Sequence, residues 1–348
     1  LVCALLIDIR VPGIFVPALT IGLLIFSLIF IPEEKKVWRK VILLLFVYVV
    51  SLAVFVVIFW PFLWLGPVSH FIESYKLMSR FSPQAELLVL YGGKNLFAKE
   101  LPWHYIPVWI LITTPVIYTL LFFVGVGENI KNLFFNTKEY FKTQRKDIVI
   151  LCWFFAPLIT IIISHSIMYD GWRQMYFIYP AMIYLSLVGI KSILDLLKET
   201  GPEKINIGKY ILYFVVIINL IFVLSFMIKN HPYQNLYFNF LVGGEENARK
   251  NFEMDYWGLT FRKGLEYILE HDSTPIIPIT FFGGPDENIQ IRTTEQSKRF
   301  TIGPLKFMEV SKYILTNYRW QDYDRMPWEN EYYSVKVDDA KVMTVFKQ

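Results

Sequence analysis

The chain has 348 residues, of which 55% are hydrophobic and 18% aromatic, and only 18% are charged, well under the quarter usual for soluble domains. A formal net charge of +4, scattered along the chain, gives no electrostatic footprint for a nucleic acid. The charge is also uneven: residues 1–228 come as long apolar runs and residues 229–348 read as an ordinary water-soluble domain, so two solvents are implied.

Leu1 opens the chain inside an apolar stretch with no recognisable leader, and the start of the protein is expected to be missing. A membrane-spanning helix needs roughly 20 mostly apolar residues, with about 17 as a lower limit. Six segments qualify, at residues 11–31, 41–60, 105–127, 148–164, 174–190 and 210–228. Four of them, 11–31, 41–60, 105–127 and 210–228, contain no Asp, Glu, Lys or Arg. The segments 148–164 and 174–190 are shorter and flank a tight polar tip, which reads as a helical hairpin. Prolines at 12, 17, 107, 115, 157 and 180 fall inside the spans, where each removes a backbone donor and favours a kink.

Cytoplasmic loops are enriched in Lys and Arg. The loops 33–40, 127–147 and 191–209 hold thirteen in 48 residues, while 66–104 and 166–174 hold five in 48, namely Lys76, Arg80, Lys94, Lys99 and Arg173. The first set is therefore predicted cytoplasmic. That places the loop 61–104, the tip 165–173 and the tail beyond Lys229 outside a cell membrane that the chain crosses several times. Cys3 and Cys152 then lie near opposite faces, too far apart for a disulfide.

In the tail, Leu259, Leu265, Ile268 and Leu269 follow a helical pattern, and the apolar run 275–282 ending at Gly283-Gly284-Pro285 predicts a strand. Further strands are predicted at 289–292 and 312–316, with a hairpin pairing 332–337 with 341–346 across Asp338-Asp339. The predicted class is a polytopic α-helical membrane protein with an extracytoplasmic α/β or α+β domain at residues 229–348. The tail carries no Gly-rich phosphate loop, no Cys or His metal cluster and no serine elbow, so neither cofactor nor metal is expected.

Chemistry is expected on the outer face. The tip Tyr169-Asp170-Gly171-Trp172-Arg173 joins a planar cation suited to phosphate with aromatic rings suited to the headgroup level. The plainer reading is an Arg173 that snorkels among headgroups beside a belt of Tyr169 and Trp172. Lys94, after the flexible Gly92-Gly93 pair, and His104 could bind an anionic group or a sugar hydroxyl. Asp8-Ile9-Arg10 sets a charged pair at the outer end of the first span, where Arg10 could meet a ligand or simply pair with Asp8. Asp255, before the tail helix, reads as a cap.

Three strings resemble a known family: Tyr169-Asp170-Gly171-Trp172-Arg173 with Tyr176-Phe177-Ile178-Tyr179-Pro180; Leu101-Pro102-Trp103-His104-Tyr105 with Thr113-Thr114-Pro115; and Phe252-Glu253-Met254-Asp255-Tyr256-Trp257-Gly258-Leu259. They look like the C-terminal half of bacterial polytopic glycosyltransferases of the GT-C fold, related to protein O-mannosyltransferases and aminoarabinose transferases. The resemblance implies inverting transfer of a sugar from a polyprenyl-phosphate donor, at the membrane surface, to a protein, lipid or glycan acceptor. It implies donor-phosphate or substrate contacts for Arg173, Lys94 and His104, with Asp170, Tyr169, Trp172 and Arg10 on the same face. The family's catalytic Asp lies in a first outer loop that this sequence does not contain, so no residue here is expected to be the base. A transporter or flippase of lipid-linked sugars is the alternative, although the internal repeats usual in transporters are absent.

Overall fold

The computed structural model describes residues 1–9, 11–30, 35–79, 85–136, 139–140, 143–198, 202–283, 293–303, 310–319 and 329–348. These divide into two compact units. One comprises Leu1–Glu86, Ile117–Met168 and Trp172–Phe214; the other comprises Leu87–Val116, Tyr169–Gly171 and Val215–Gln348.

Helices dominate the first part of the chain: α1 (Val2–Ile9), α2 (Phe15–Phe30), α3 (Lys35–Phe59), α4 (Pro67–Ser79), α5 (Tyr105–Thr113), α6 (Val116–Phe135), α7 (Arg145–Ile163), α8 (Tyr179–Lys198) and α9 (Pro202–Lys229). Among the described residues, four stretches are long and apolar enough to cross a membrane: Trp38–Phe59, Lys146–Ile163, Arg173–Lys198 and Ile207–Lys229. They match four of the six predicted spans. Their exposure differs: 6% of the Trp38–Phe59 window is buried, with Leu43, Phe46 and Val47 exposed, against 39% of the Arg173–Lys198 window.

Two predicted spans differ. Residues 11–31 begin with a single 3-10 turn, Val11–Ile14, before a helix of only 16 residues. Gly13 lies against the backbone of α1, where an added Cβ would stand 2.4 Å from the Leu6 carbonyl oxygen. Residues 105–127 are broken in two at Thr114-Pro115, where Thr114 is extended (ψ 139°). A residue before proline is pushed out of the helical region, and proline cannot donate to the preceding turn. The predicted six spans thus reduce to four helices of spanning length and composition among the described residues.

Within the first unit, α6 and α8 touch backbone to backbone. A Cβ on Gly125 would lie 1.9 Å from the Leu185 carbonyl oxygen, and one on Gly189 would lie 2.0 Å from that of Leu121. Small residues at a crossing let membrane helices approach closely without help from water.

The second unit contains a hairpin, β1 (Leu88–Tyr91) with β2 (Lys94–Phe97), and two helices, α10 (Glu245–Asn251) and α11 (Phe261–His271). A mixed five-stranded sheet follows, from β3 (Ile277–Phe282), β4 (Phe300–Ile302), β5 (Tyr313–Thr316), β6 (Glu331–Val337) and β7 (Ala340–Lys347). Its order is β4-β3-β5-β7-β6; β3 is parallel to β4 and β5, and β7 is antiparallel to β5 and β6. The short helix α12 (Thr294–Lys298) lies between β3 and β4 in the chain. On α11, Phe261, Leu265 and Ile268 are buried, one helical stripe at the expected spacing. Gly264 lies against Met343 and Val345 of β7, so this stripe packs on an inner strand of the sheet.

The predicted strands at 275–282 and 312–316 and the predicted hairpin are present within a residue or two of their expected limits. The predicted strand at 289–292 lies outside the described residues. The hairpin turn is tied to the end of α9: Lys229 Nζ reaches Asp338 Oδ1 at 2.6 Å, the Asp338 amide donates to Asn230 Oδ1 at 3.2 Å, and Asn230 Nδ2 donates to Asp338 Oδ1 at 3.3 Å.

Candidate functional site: a buried ion cluster around Arg319

The second unit buries an ion cluster. Asp170 and Gly171 both turn through positive φ, at 55° and 70°, a conformation glycine adopts without strain because it has no Cβ. The Gly171 amide donates to the Tyr105 hydroxyl at 3.0 Å. Tyr105, on the first turn of α5, is 2% exposed, so α5 serves as the post that holds the 170–171 turn.

The turn aims Asp170 at Arg319, whose Nη2 donates to Asp170 Oδ1. Arg319 Nε donates to Glu253 Oε1 at 3.2 Å and Nη1 to the Tyr256 carbonyl at 3.3 Å. One guanidinium therefore serves two carboxylates, and the Glu253 side chain is only 1% exposed. Its second oxygen, Oε2, is buried with no hydrogen-bond partner among the described residues. Burial raises the Glu253 pKa, the Arg319 charge lowers it and the Asp170 charge raises it, and the net effect pushes it up to about 7. A cavity of about 20 Å³ beside Glu253, Asn317, Tyr318 and Arg319 has room for about one water.

Asp255 does not cap α11 as expected, since the N-cap is Thr260 and has no side-chain cap hydrogen bond; it fastens the turn ahead of the helix. Its carboxylate accepts from the Leu259 and Thr260 amides, both at 3.0 Å, and from the Thr260 hydroxyl, closing the turn into α11. Burial raises its pKa against these hydrogen bonds. Its carbonyl accepts from Asn317 Nδ2 at 2.7 Å, linking the 252–260 segment to the stretch that carries Arg319.

An aromatic wall flanks the cluster. Tyr91, Tyr105, Trp109, Phe238 and Phe252 pack edge to face, tilted or, for Phe238 on Phe252, stacked, with neighbouring centroids 5.1–6.3 Å apart. The Tyr91 hydroxyl is 2.6 Å from His104 Nδ1, and burial raises the Tyr91 pKa to about 12. The hydroxyl is therefore un-ionised at neutral pH.

The predicted site residues divide accordingly. Asp170, Tyr169, His104 and Lys94 belong to the second unit, and Trp172 and Arg173 to the first. Asp170 is in the ion cluster and His104 at the edge of the aromatic wall, while Lys94 is exposed at the start of β2. Trp172 is buried with edge contacts to Tyr176 and Tyr179 at 4.8 and 5.7 Å, and Arg173 begins a 3-10 turn ahead of α8. Arg10 lies outside the described residues.

Sequence reasoning missed Arg319 and Glu253. The string Phe252-Glu253-Met254-Asp255 alternates acids with large apolar residues, a pattern that by itself turns the acids toward water, so their burial left no signal in it. Among the described residues no three His, Cys, Asp or Glu side chains group as a metal site. No protein-family model, curated protein or solved structure matches the chain.

Proposed function

We propose that the protein is a membrane glycosyltransferase, moving a sugar from a polyprenyl-phosphate-linked donor to a protein, lipid or glycan acceptor on the outer face of a cell membrane, with inversion. In this reading α2 and the broken pair α5–α6 complete six spans, and the tail faces outward. One observation carries it. The three strings that resemble the polytopic transferases lie far apart in the chain, yet Tyr105 from one, Asp170-Gly171 from another and Glu253 with Asp255 from the third meet around Arg319. Apolar composition alone would give three unrelated strings no reason to share polar partners.

The chemistry asks for cations or hydrogen-bond donors to hold the departing lipid phosphate. In this reading His104 and Lys94, both in the second unit, supply them, while the part of Arg173, at the head of α8 in the first unit, rests on the resemblance alone. The ion cluster fixes the turn that carries Tyr169 to Gly171, a positioning part. In the full-length protein, His104→Ala and Arg173→Ala are each expected to lower kcat/KM for transfer from a polyprenyl-phosphate sugar by about a hundredfold, the usual cost of losing one charge-stabilising donor. Turnover that is unchanged in both variants overturns the proposal.

A further inference from the structure

We propose that the 3-10 turn Phe240–Val242 is a membrane anchor whose Phe240 and Leu241 side chains lie among lipid acyl chains beside the end of α9. Between Leu236 and Val242 the chain has no charged residue. Its side chains sort sharply. Leu236, Phe238 and Val242 are at most 6% exposed, whereas Phe240 is 74% and Leu241 49% exposed. Two large apolar side chains placed together outside a packed core mark a surface that meets something other than water.

Two tethers say what it meets. The first runs to α9: the Tyr237 ring packs edge-on against Phe226 at 5.1 Å, and Gln234 Nε2 donates to the Met227 carbonyl at 3.3 Å. Phe226 and Met227 belong to the apolar stretch Ile207–Lys229, so the chain leaving α9 folds back along its last turn rather than away from it. The second tether runs to the Pro115 break. Pro115 has no amide hydrogen to give the Leu111 carbonyl one turn earlier. Asn239 Nδ2 donates to that carbonyl at 2.6 Å and to the Thr114 carbonyl at 2.6 Å, while the Asn239 amide donates to the Ile112 carbonyl at 2.8 Å.

Water would satisfy those carbonyls at an aqueous surface. A single residue whose side chain takes two of them and whose amide takes the third is what a water-poor setting demands. Asn239 then accepts from the Leu241 amide at 2.9 Å, so the residue that seals the helix end also sets the turn that displays Phe240 and Leu241. Large apolar side chains held beside a spanning helix fit a lipid surface.

This inference requires α9 to cross a membrane and is independent of the transferase reading. The test is a nitroxide at Phe240→Cys or Leu241→Cys, in the full chain carrying Cys3→Ser and Cys152→Ser, reconstituted in phospholipid vesicles. Labels at Phe222→Cys on α9 and at Lys263→Cys on α11 are the references for lipid and for water. The ratio of oxygen to water-soluble nickel-complex accessibility at both 240 and 241 is expected to match that at 222 and to exceed that at 263 several-fold. A ratio like that of 263 at either position overturns the proposal, and so does shielding from both reagents, which would mark a protein partner. An aqueous ratio at 222 overturns the α9 span and this anchor with it, and leaves transfer activity as a separate question.

Discussion

Leu43, Phe46 and Val47 on α3 stand exposed while Val342, Met343 and Val345 on β7 are fully or nearly fully buried, although both stretches are strongly apolar in sequence. The difference lies in what each side chain was selected to meet. A helix that crosses a membrane satisfies its own backbone and can leave apolar side chains facing lipid. A strand at the centre of a sheet in water must hide its side chains under a helix such as α11. Hydropathy alone therefore does not separate the two regions; exposure does.

Substitutions can break that contrast. The largest effect is expected from Arg319→Ala, which leaves Asp170 and Glu253 buried together without their cation. A loss of about 3–5 kcal/mol is expected in the sheet-bearing unit, seen as a lowered unfolding temperature and faster proteolysis of the tail in detergent. The same chemical change placed in each medium sharpens the contrast next. Leu265→Ala, beneath α11, should cost about 2–5 kcal/mol, whereas Leu43→Ala, facing outward on α3, should stay within about 0.5 kcal/mol. Equal losses would mean that α3 is packed by protein and not by lipid.

Gly125→Val attacks the helical unit where it is tightest. Its Cβ would fall on the Leu185 carbonyl, and overpacking of this kind costs about 1–3 kcal/mol. The measurement is thermal unfolding of the helical unit beside an Ile130→Val control on the exposed side of α6.

The smallest effect is a slope. The Glu253 pKa is raised from 4.5 to about 7 in the folded chain, so the folded state holds a proton that the unfolded state has released. The stability this gives is complete below about pH 4.5 and is lost as pH rises through about 7, at no more than about 1 kcal/mol per pH unit. Glu253→Gln should flatten the stability profile across that window, and an unchanged slope would show that Glu253 is not the titrating group.

Much of the tail was legible because a strand carries its own signals. Gly283 ends the run 275–282, and Asp338 supplies the positive φ (47°) that lets the last hairpin turn. Strand β4, of three residues, was too short to show a period, and the hairpin around Gly92-Gly93 read only as a flexible loop. The break at Pro115 was read as a kink because the flanking residues stay apolar on both sides. In the ion cluster Asp170 could be singled out from its place beside Trp172 and Arg173. Its true partner could not, since Arg319 is 149 residues away from Asp170 and 66 from Glu253. Pairing of that kind is settled by topology, and local spacing carries no trace of it.

The clasp between Lys229, Asn230 and Asp338 has a mechanical meaning. Asp338 heads the turn between β6 and β7, and β7 is paired on both sides, so the turn is stiffly backed. If α9 slid along its axis by one helical turn, about 5.4 Å, it would have to break three polar contacts or drag the hairpin with it. The last turn of α9 and the β6–β7 hairpin are thus coupled through the one residue Asp338.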